Sequence, residues 1–196
     1  MKFIKYFALF FLLQGCSSDY EWGWYILSPN NVDGLTNLKF LISGITTTIY
    51  ISVISIILAM IIGLVIALPS LSNNKFLSYF NIAYVEIVRA VPLLVLILWI
   101  YYGLPIMLGV SFSPFVSGII ALTISESAFQ AEIFRAGINS IHKGQHEVAG
   151  SLGMDFWKKM RFVILPQAIK VVLPALGNQF VYVLKMSSLV SIIGIA

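Results

Sequence analysis

Few residues in this sequence have types and spacings that could do chemistry. His142 and His146 stand four apart, the spacing at which two imidazoles on one helix face can share a metal ion. Lys143, Gly144 and Gln145 fill the interval, no third ligand lies nearby, and Gly144 weakens a helix there, so these read as surface histidines beside lipid headgroups. Cys16 is the one cysteine, which excludes an intrachain disulfide and any all-cysteine metal site. No serine, histidine and acid fall in a context for hydrolysis, and no glycine-lysine-serine phosphate loop is present. Glu126 is different, because it sits inside a long apolar stretch. A carboxylate at membrane depth is costly unless it is paired, protonated or wetted by a cavity. Asn178, Tyr182 and Lys185 form a polar face in another apolar stretch and are its natural counterparts. Together these four residues either line a path for a polar solute or hold two spans against each other.

The composition says what must position them. Hydrophobic residues make up 59% of the 196 and charged residues only 10%, with a mean hydropathy of +0.95. Soluble domains carry roughly 25% charged residues, so the fold class expected is all-α, a polytopic bundle of membrane helices. The net charge of +4 does not point to nucleic acid. Five Lys or Arg residues lie between Arg135 and Arg161, and cations beside membrane spans follow the positive-inside tendency.

Residues 1–43 read as a signal-like or interfacial segment and outer region. Lys2 and Lys5 precede an apolar run, Tyr6 to Leu13, too short for the roughly 20 residues that cross hydrocarbon. A secretory signal fits, and Leu13-Gln14-Gly15-Cys16 resembles a lipoprotein processing site that would lipidate Cys16. An unprocessed amphipathic tail is the alternative. Trp22, Trp24 and Tyr25 suit the interface belt on the outer side.

Residues 44–196 read as the membrane domain, with spans at about 44–68, 91–108, 115–135 and 166–184. Gly44 to Leu68 has no charge, and Ser55, Ala59, Gly63 and Ala67 recur every four residues, a face for close helix approach. Thr46, Thr47 and Thr48 are expected to bond back to helix carbonyls. A turn through Asn73 and Asn74 follows, then a mixed stretch in which Glu86 and Arg89 have the spacing of an ion pair. Ser117, Ala121 and Ser125 make a second small-residue seam, and Glu126 falls about 18 Å along its span at 1.5 Å per residue. Pro166 suits a first helical turn and Pro174 a kink. Gln167, Lys170, Pro174, Asn178, Tyr182 and Lys185 share one face.

Ser140 to Pro166 is the one long polar interval between apolar segments. It reads as two short helices about a turn: Glu147 to Leu152, ended by Gly153 in the left-handed conformation, then a helix capped by Asp155 and running through Phe162, with Trp157 and Met160 as an apolar pair. This stretch resembles the cytoplasmic coupling motif of membrane subunits of ATP-binding-cassette importers: Glu-Ala-Ala, three residues, Gly, nine residues, Ile, one residue, Leu-Pro. Glu147, Val148 and Ala149 take the first places, Gly153 the glycine, Val163 the isoleucine, and Leu165 and Pro166 the end. Arg89 with Pro92-Leu93-Leu94 is similar to a second block of the family that takes up polar amino acids. Tyr101-Tyr102-Gly103-Leu104-Pro105 is similar to its tyrosine-rich exit from the same span. Ala128, Ala131, Glu132, Arg135 and Gly137 are similar to a third block, with Ala136 where glycine is usual. Asn178, Lys185 and Ser187-Ser188-Leu189 resemble the ending of this region.

The resemblance implies a permease subunit in the bacterial inner membrane, not itself an enzyme and with no cofactor of its own. It implies cytoplasmic ATP-binding subunits at Glu147, Val148, Ala149, Gly153, Leu165 and Pro166, a second permease subunit, an extracytoplasmic solute-binding protein and surrounding lipid. In the family a further acidic residue and a last membrane helix follow the place of Ala196, so the expectation is a permease fold without its final helix. A truncated remnant that does not transport, and an ion-coupled carrier built on Glu126 and the lysine-bearing face, stay open at this point.

Overall fold

The computed structural model describes residues 23–71 and 75–195; Cys16, Trp22 and the Asn73–Asn74 turn lie outside the described residues. The chain divides into two compact units at Ser43 and Gly44. In the first, a 3-10 turn over Gly23–Leu27 precedes the start of a long helix, and the Asn37 side-chain amide donates to the Ile26 carbonyl at 3.1 Å. That helix, α1, spans Gly34–Ala67, so helical structure begins ten residues before the charge-free run.

In the second unit, α2 spans Lys75–Ala90 and α3 Leu93–Leu108; the arms Asn81–Ala90 and Leu93–Leu108 are bent 93° apart. Pro92 forces this break, since it disfavours helical backbone at Val91 and cannot donate to the preceding turn. α4 spans Pro114–Asn139, with Pro114 in its first turn and the Ser113 hydroxyl accepting from the Val116 amide at 3.4 Å. After a short helix α5, Lys143–Ser151, the chain enters α6, Phe156–Ile193. Among the described residues, α1 and α6 are long and apolar enough to cross a membrane, and the bent α2–α3 pair adds a third crossing if its arms form one broken span. α4 is not in that set, because its polar residues lower its mean hydropathy; Ser117, Thr123, Ser125, Glu126, Ser127 and Gln130 are all buried.

α4 is the centre of this unit and packs on α2, α3 and α6. Both small-residue seams do the packing expected of them. Ser55, Ala59 and Ala67 are buried, and the Ser55 hydroxyl reaches the Ile119 carbonyl of α4 at 3.5 Å. Ser117, Ala121 and Ser125 of α4 are buried as well. In lipid, close packing and hydrogen bonds substitute for a hydrophobic drive between helices. The Thr48 hydroxyl bonds back to the Gly44 carbonyl at 2.8 Å, as expected.

At Gly63 α1 lies close against α4: an added Cβ would lie 2.6 Å from the Gln130 Cβ, 2.9 Å from the Ser127 carbonyl oxygen and 3.0 Å from the Ala131 amide nitrogen. Backbone cannot move aside as a side-chain tip can. Gly63→Leu should therefore cost about 1–3 kcal/mol or more and shift the solubilised protein to aggregated material in size-exclusion chromatography. Gly44→Ala, which meets nothing within 4 Å, should not. A normal elution profile for Gly63→Leu would remove the seam's role.

Two π-helical turns interrupt the long helices, Trp99–Gly103 in α3 and Met160–Ile164 in α6, and each is followed directly by a Leu-Pro pair. Proline clashes with the carbonyl four residues back and donates nothing. A turn widened to five-residue spacing relieves that conflict without ending the helix. For this reason Pro166 does not begin a span: the helix that starts at Phe156 runs through it, and through Pro174 as well.

Candidate functional site

The turn between the short helix α5 and α6 is built by local capping chemistry. α5 begins earlier than Glu147. His142 stands at its N-cap, its Nδ1 accepting from the Gly144 amide at 3.1 Å, which uses one imidazole in holding the helix. At the other end Gly153 has φ +70°. The Met154 amide donates to the Ala149 carbonyl at 3.1 Å and the Gly153 amide to the Gly150 carbonyl at 2.9 Å, the paired bonds of a Schellman ending. Asp155 then caps α6, its carboxylate accepting from the Lys158 amide at 2.9 Å. Met154 is thus the one residue between a left-handed stop and a new cap, and α5 is aimed by that hinge.

The faces of α5 divide by exposure. Ala149 is only 1% exposed, whereas Val148 is 60% exposed and Glu147 and Leu152 also face outward. α5 packs on the π turn of α6, and Gln167 ties the two by donating to the Gln145 side-chain oxygen at 3.2 Å. Leu165 and Pro166 lie just past that turn, with Leu165 partly and Pro166 openly exposed. The second short helix does not stop at Phe162; its residues are the first turns of α6. Met160 packs with Ile138, Ile164 and Ala168, while Trp157 is 76% exposed and meets Phe156 edge-on at 5.7 Å.

The second arrangement lies inside the bundle. Glu126 of α4 is 0% exposed, and its Oε2 accepts from the Gln179 amide of α6 at 2.6 Å. Among the described residues the other oxygen, Oε1, has no hydrogen-bond partner, and neither has either end of the Gln130 amide nor the Thr123 hydroxyl on the same side of α4. The partner is Gln179 and not Asn178, which faces outward with Lys185. Tyr182 is brought to α4, its ring centroid 6.5 Å from that of Phe129, and the Arg89 guanidinium sits 4.9 Å from the centroid of the Phe129 ring. Arg89 therefore meets an aromatic ring and not Glu86. Among the described residues the ion pair that forms is Glu132 with Arg135, bidentate at 2.5 and 2.9 Å. Around this centre the Tyr84 and Ser127 hydroxyls share a 2.7 Å bond, and Asn81 donates to the Ile66 carbonyl, joining α2 to α4 and α1.

A short helix capped and aimed by Gly153, on a bundle of broken and π-bulged membrane helices, is a local geometry that can be compared with known proteins. Residues 59–196 match the profile of the family described as binding-protein-dependent transport system inner membrane component. The chain belongs to this family. It is a multi-pass membrane protein and a permease subunit of an ATP-binding-cassette importer, a class in which a separate subunit hydrolyses ATP. Among relatives, a Bacillus subtilis protein named as a glutamine ABC transporter permease, GlnM, is 41% identical over 157 residues, 80% of this chain and 72% of the relative. The arginine transport system permease protein ArtQ of the same organism is 35% identical over 161 residues, 82% of this chain and 74% of ArtQ. The crystal structure of an amino acid ABC transporter with histidines superposes with a TM-score of 0.76 at 43% identity, over 84% of this chain and 78% of that one. An inward-facing structure of the MetNI methionine ABC transporter shares the fold, with a TM-score of 0.68 over 79% of this chain and 74% of that one at 22% identity. GlnM and ArtQ are named as amino-acid transport permeases, and the superposed structure as an amino acid ABC transporter.

Proposed function

We propose that this permease carries polar amino acids across a bacterial inner membrane. The basic loop lies in the cytoplasm, and two ATP-binding subunits grip the coupling loops of the paired permease subunits, α5 being the one this chain supplies. A second permease subunit, identical or closely related, completes the pathway, and an extracytoplasmic solute-binding protein delivers the substrate. The observation that carries this reading is α5 itself: a short helix anchored by buried Ala149, aimed by Gly153, and presenting Glu147, Val148 and Leu152 outward. A loop that only joined two spans would have no need of a Schellman stop and an aspartate cap one residue apart. Leu165 and Pro166 support the knob from the π turn below it. The names of the relatives support amino acids as cargo, and this chain needs no cofactor for that role because ATP is held by its partners.

The pathway runs past the buried centre. Glu126 offers a free carboxylate oxygen, Arg89 a guanidinium and Tyr182 a ring. These suit the ammonium, carboxylate and side chain of an amino acid, while the outward Asn178 and Lys185 face the second subunit. Reconstitution in liposomes with ATP-binding subunits and a binding protein should give uptake of glutamine, arginine or histidine that needs ATP. Uptake driven by an ion gradient without ATP would overturn the reading.

Orientation has its own test. In a Cys16→Ser background, an impermeant thiol reagent applied to intact cells should label Ser28→Cys and spare Ser151→Cys. Positive residues concentrate on the cytoplasmic side. Labelling at 151 without labelling at 28 would invert the proposed topology.

A further inference from the structure

α1, α4 and α6 enclose a groove of about 460 Å³ whose walls are almost wholly apolar, with Met60, Leu64, Phe134, Ile138, Leu165 and Leu176 among its lining. It lies at the end of the bundle that carries the basic loop, since α1 ends at Ala67, α4 at Asn139, and α6 enters beside them. Its length along α6, from Leu165 to Leu176, is about 17 Å at 1.5 Å per residue. The hydrocarbon core of a bilayer is about 30 Å thick, so the groove is as long as one leaflet is deep. One acyl chain from one leaflet fits it.

The mouth of the groove supplies the charge for a headgroup. Arg161 lies one helical turn before Leu165, and Lys158 nearly one turn before that. Arg161 is exposed, rests 5.7 Å over the Phe162 ring, and has no carboxylate partner among the described residues, whereas Arg135 is occupied by Glu132. Phe162 and Trp157 are exposed at the same level, as aromatics are at a membrane interface. Cations immediately beside a membrane span bind anionic headgroups.

We propose that this groove is a site for one anionic phospholipid, with an acyl chain between α1 and α6 and the phosphate held by Arg161 and Lys158. The site depends on the chain's place in the membrane with its basic end at one leaflet, not on which solute is carried, so uptake assays and lipid assays fail independently.

The test places a photo-crosslinking residue at Ile169, a partly exposed lining position, in the full chain in bacterial membranes. Mass spectrometry of the adducts should show phospholipid, with phosphatidylglycerol enriched at least threefold over its share of the membrane. Arg161→Gln should return that share to the bulk value while lipid adducts persist, and Arg161→Lys should restore most of the enrichment. A polypeptide adduct, from another segment or a second copy, would mean that protein covers the groove and would overturn the proposal. So would the absence of lipid adducts, a bulk-like lipid share in the unaltered chain, or an enrichment that survives Arg161→Gln.

Discussion

Gly153→Val is expected to abolish ATP-driven uptake by the assembled importer while leaving the chain in the membrane. The φ of +70° at Gly153 is the cause. Left-handed backbone costs an L-residue roughly 1–2 kcal/mol, and more for a β-branched one. No atom lies within 4 Å of a Cβ built there, so the cost is backbone strain and not a clash. The membrane helices are elsewhere and insert unchanged. The strain is relieved by opening the Schellman bonds from Gly153 and Met154, after which α5 no longer holds Glu147 and Val148 at a fixed angle. ATP hydrolysis by the partners should then persist without uptake. The substitutions should rank Gly first, then Asn, Ala and Val, because Asn tolerates the left-handed region best among residues with side chains. Gly150→Ala is the control, a helical position with open space at Cβ, where alanine gains about 1 kcal/mol of helix propensity. Uptake by Gly153→Val equal to the unaltered chain would reject the turn's role in coupling.

What could be read from the sequence was the chemistry that acts over a few residues. A glycine that stops a helix and an aspartate that caps the next are local preferences, and both stand at the turn between α5 and α6. The small-residue seams were also legible, since a spacing of four residues puts Ser55, Ala59, Gly63 and Ala67 on one face whatever the partner is. Pro166 misled for a physical reason. Proline is equally at home in a first turn and just after a π turn, and only the backbone from Met160 to Ile164 distinguishes the two. The widened turn also changes the helical register, so a face counted from Pro166 says nothing of what lies before it.

The buried pair shows the limit of counting. Depth along the helices placed Glu126 level with Asn178, and the depth was right to within one residue. One residue is 100° of rotation on a helix, and that angle turns Asn178 outward and Gln179 onto the carboxylate. The signal available was chemical: two adjacent amides in an apolar helix cannot both face the same side. Arg89 was obscured similarly, since its i, i+3 spacing from Glu86 suggested an ion pair while its real neighbour, the Phe129 ring, is 40 residues away in sequence.

Glu126→Gln is expected to lower uptake roughly tenfold or more, about 1.4 kcal/mol in the barrier, with folded yield unchanged. The substitution keeps the shape and an acceptor for the Gln179 amide, so the bond between α4 and α6 survives without the charge. Gln179→Leu does the opposite. It leaves the carboxylate buried with neither oxygen bonded, a loss of about 1–3 kcal/mol or more, and folded yield should fall with uptake. Glu126→Leu combined with Gln179→Leu removes both polar groups at once, which in a packed interior can be nearly neutral. That pair should recover the yield lost in Gln179→Leu and recover no uptake. The comparison separates two roles that one substitution would confuse. If Glu126 only held α4 against α6, the double variant would transport once its yield returned. If Glu126 meets the substrate's ammonium, transport needs the carboxylate itself, and neither Gln nor Leu replaces it. Full uptake by Glu126→Gln together with full yield of Gln179→Leu would show that this pair is neither on the path nor a support for it.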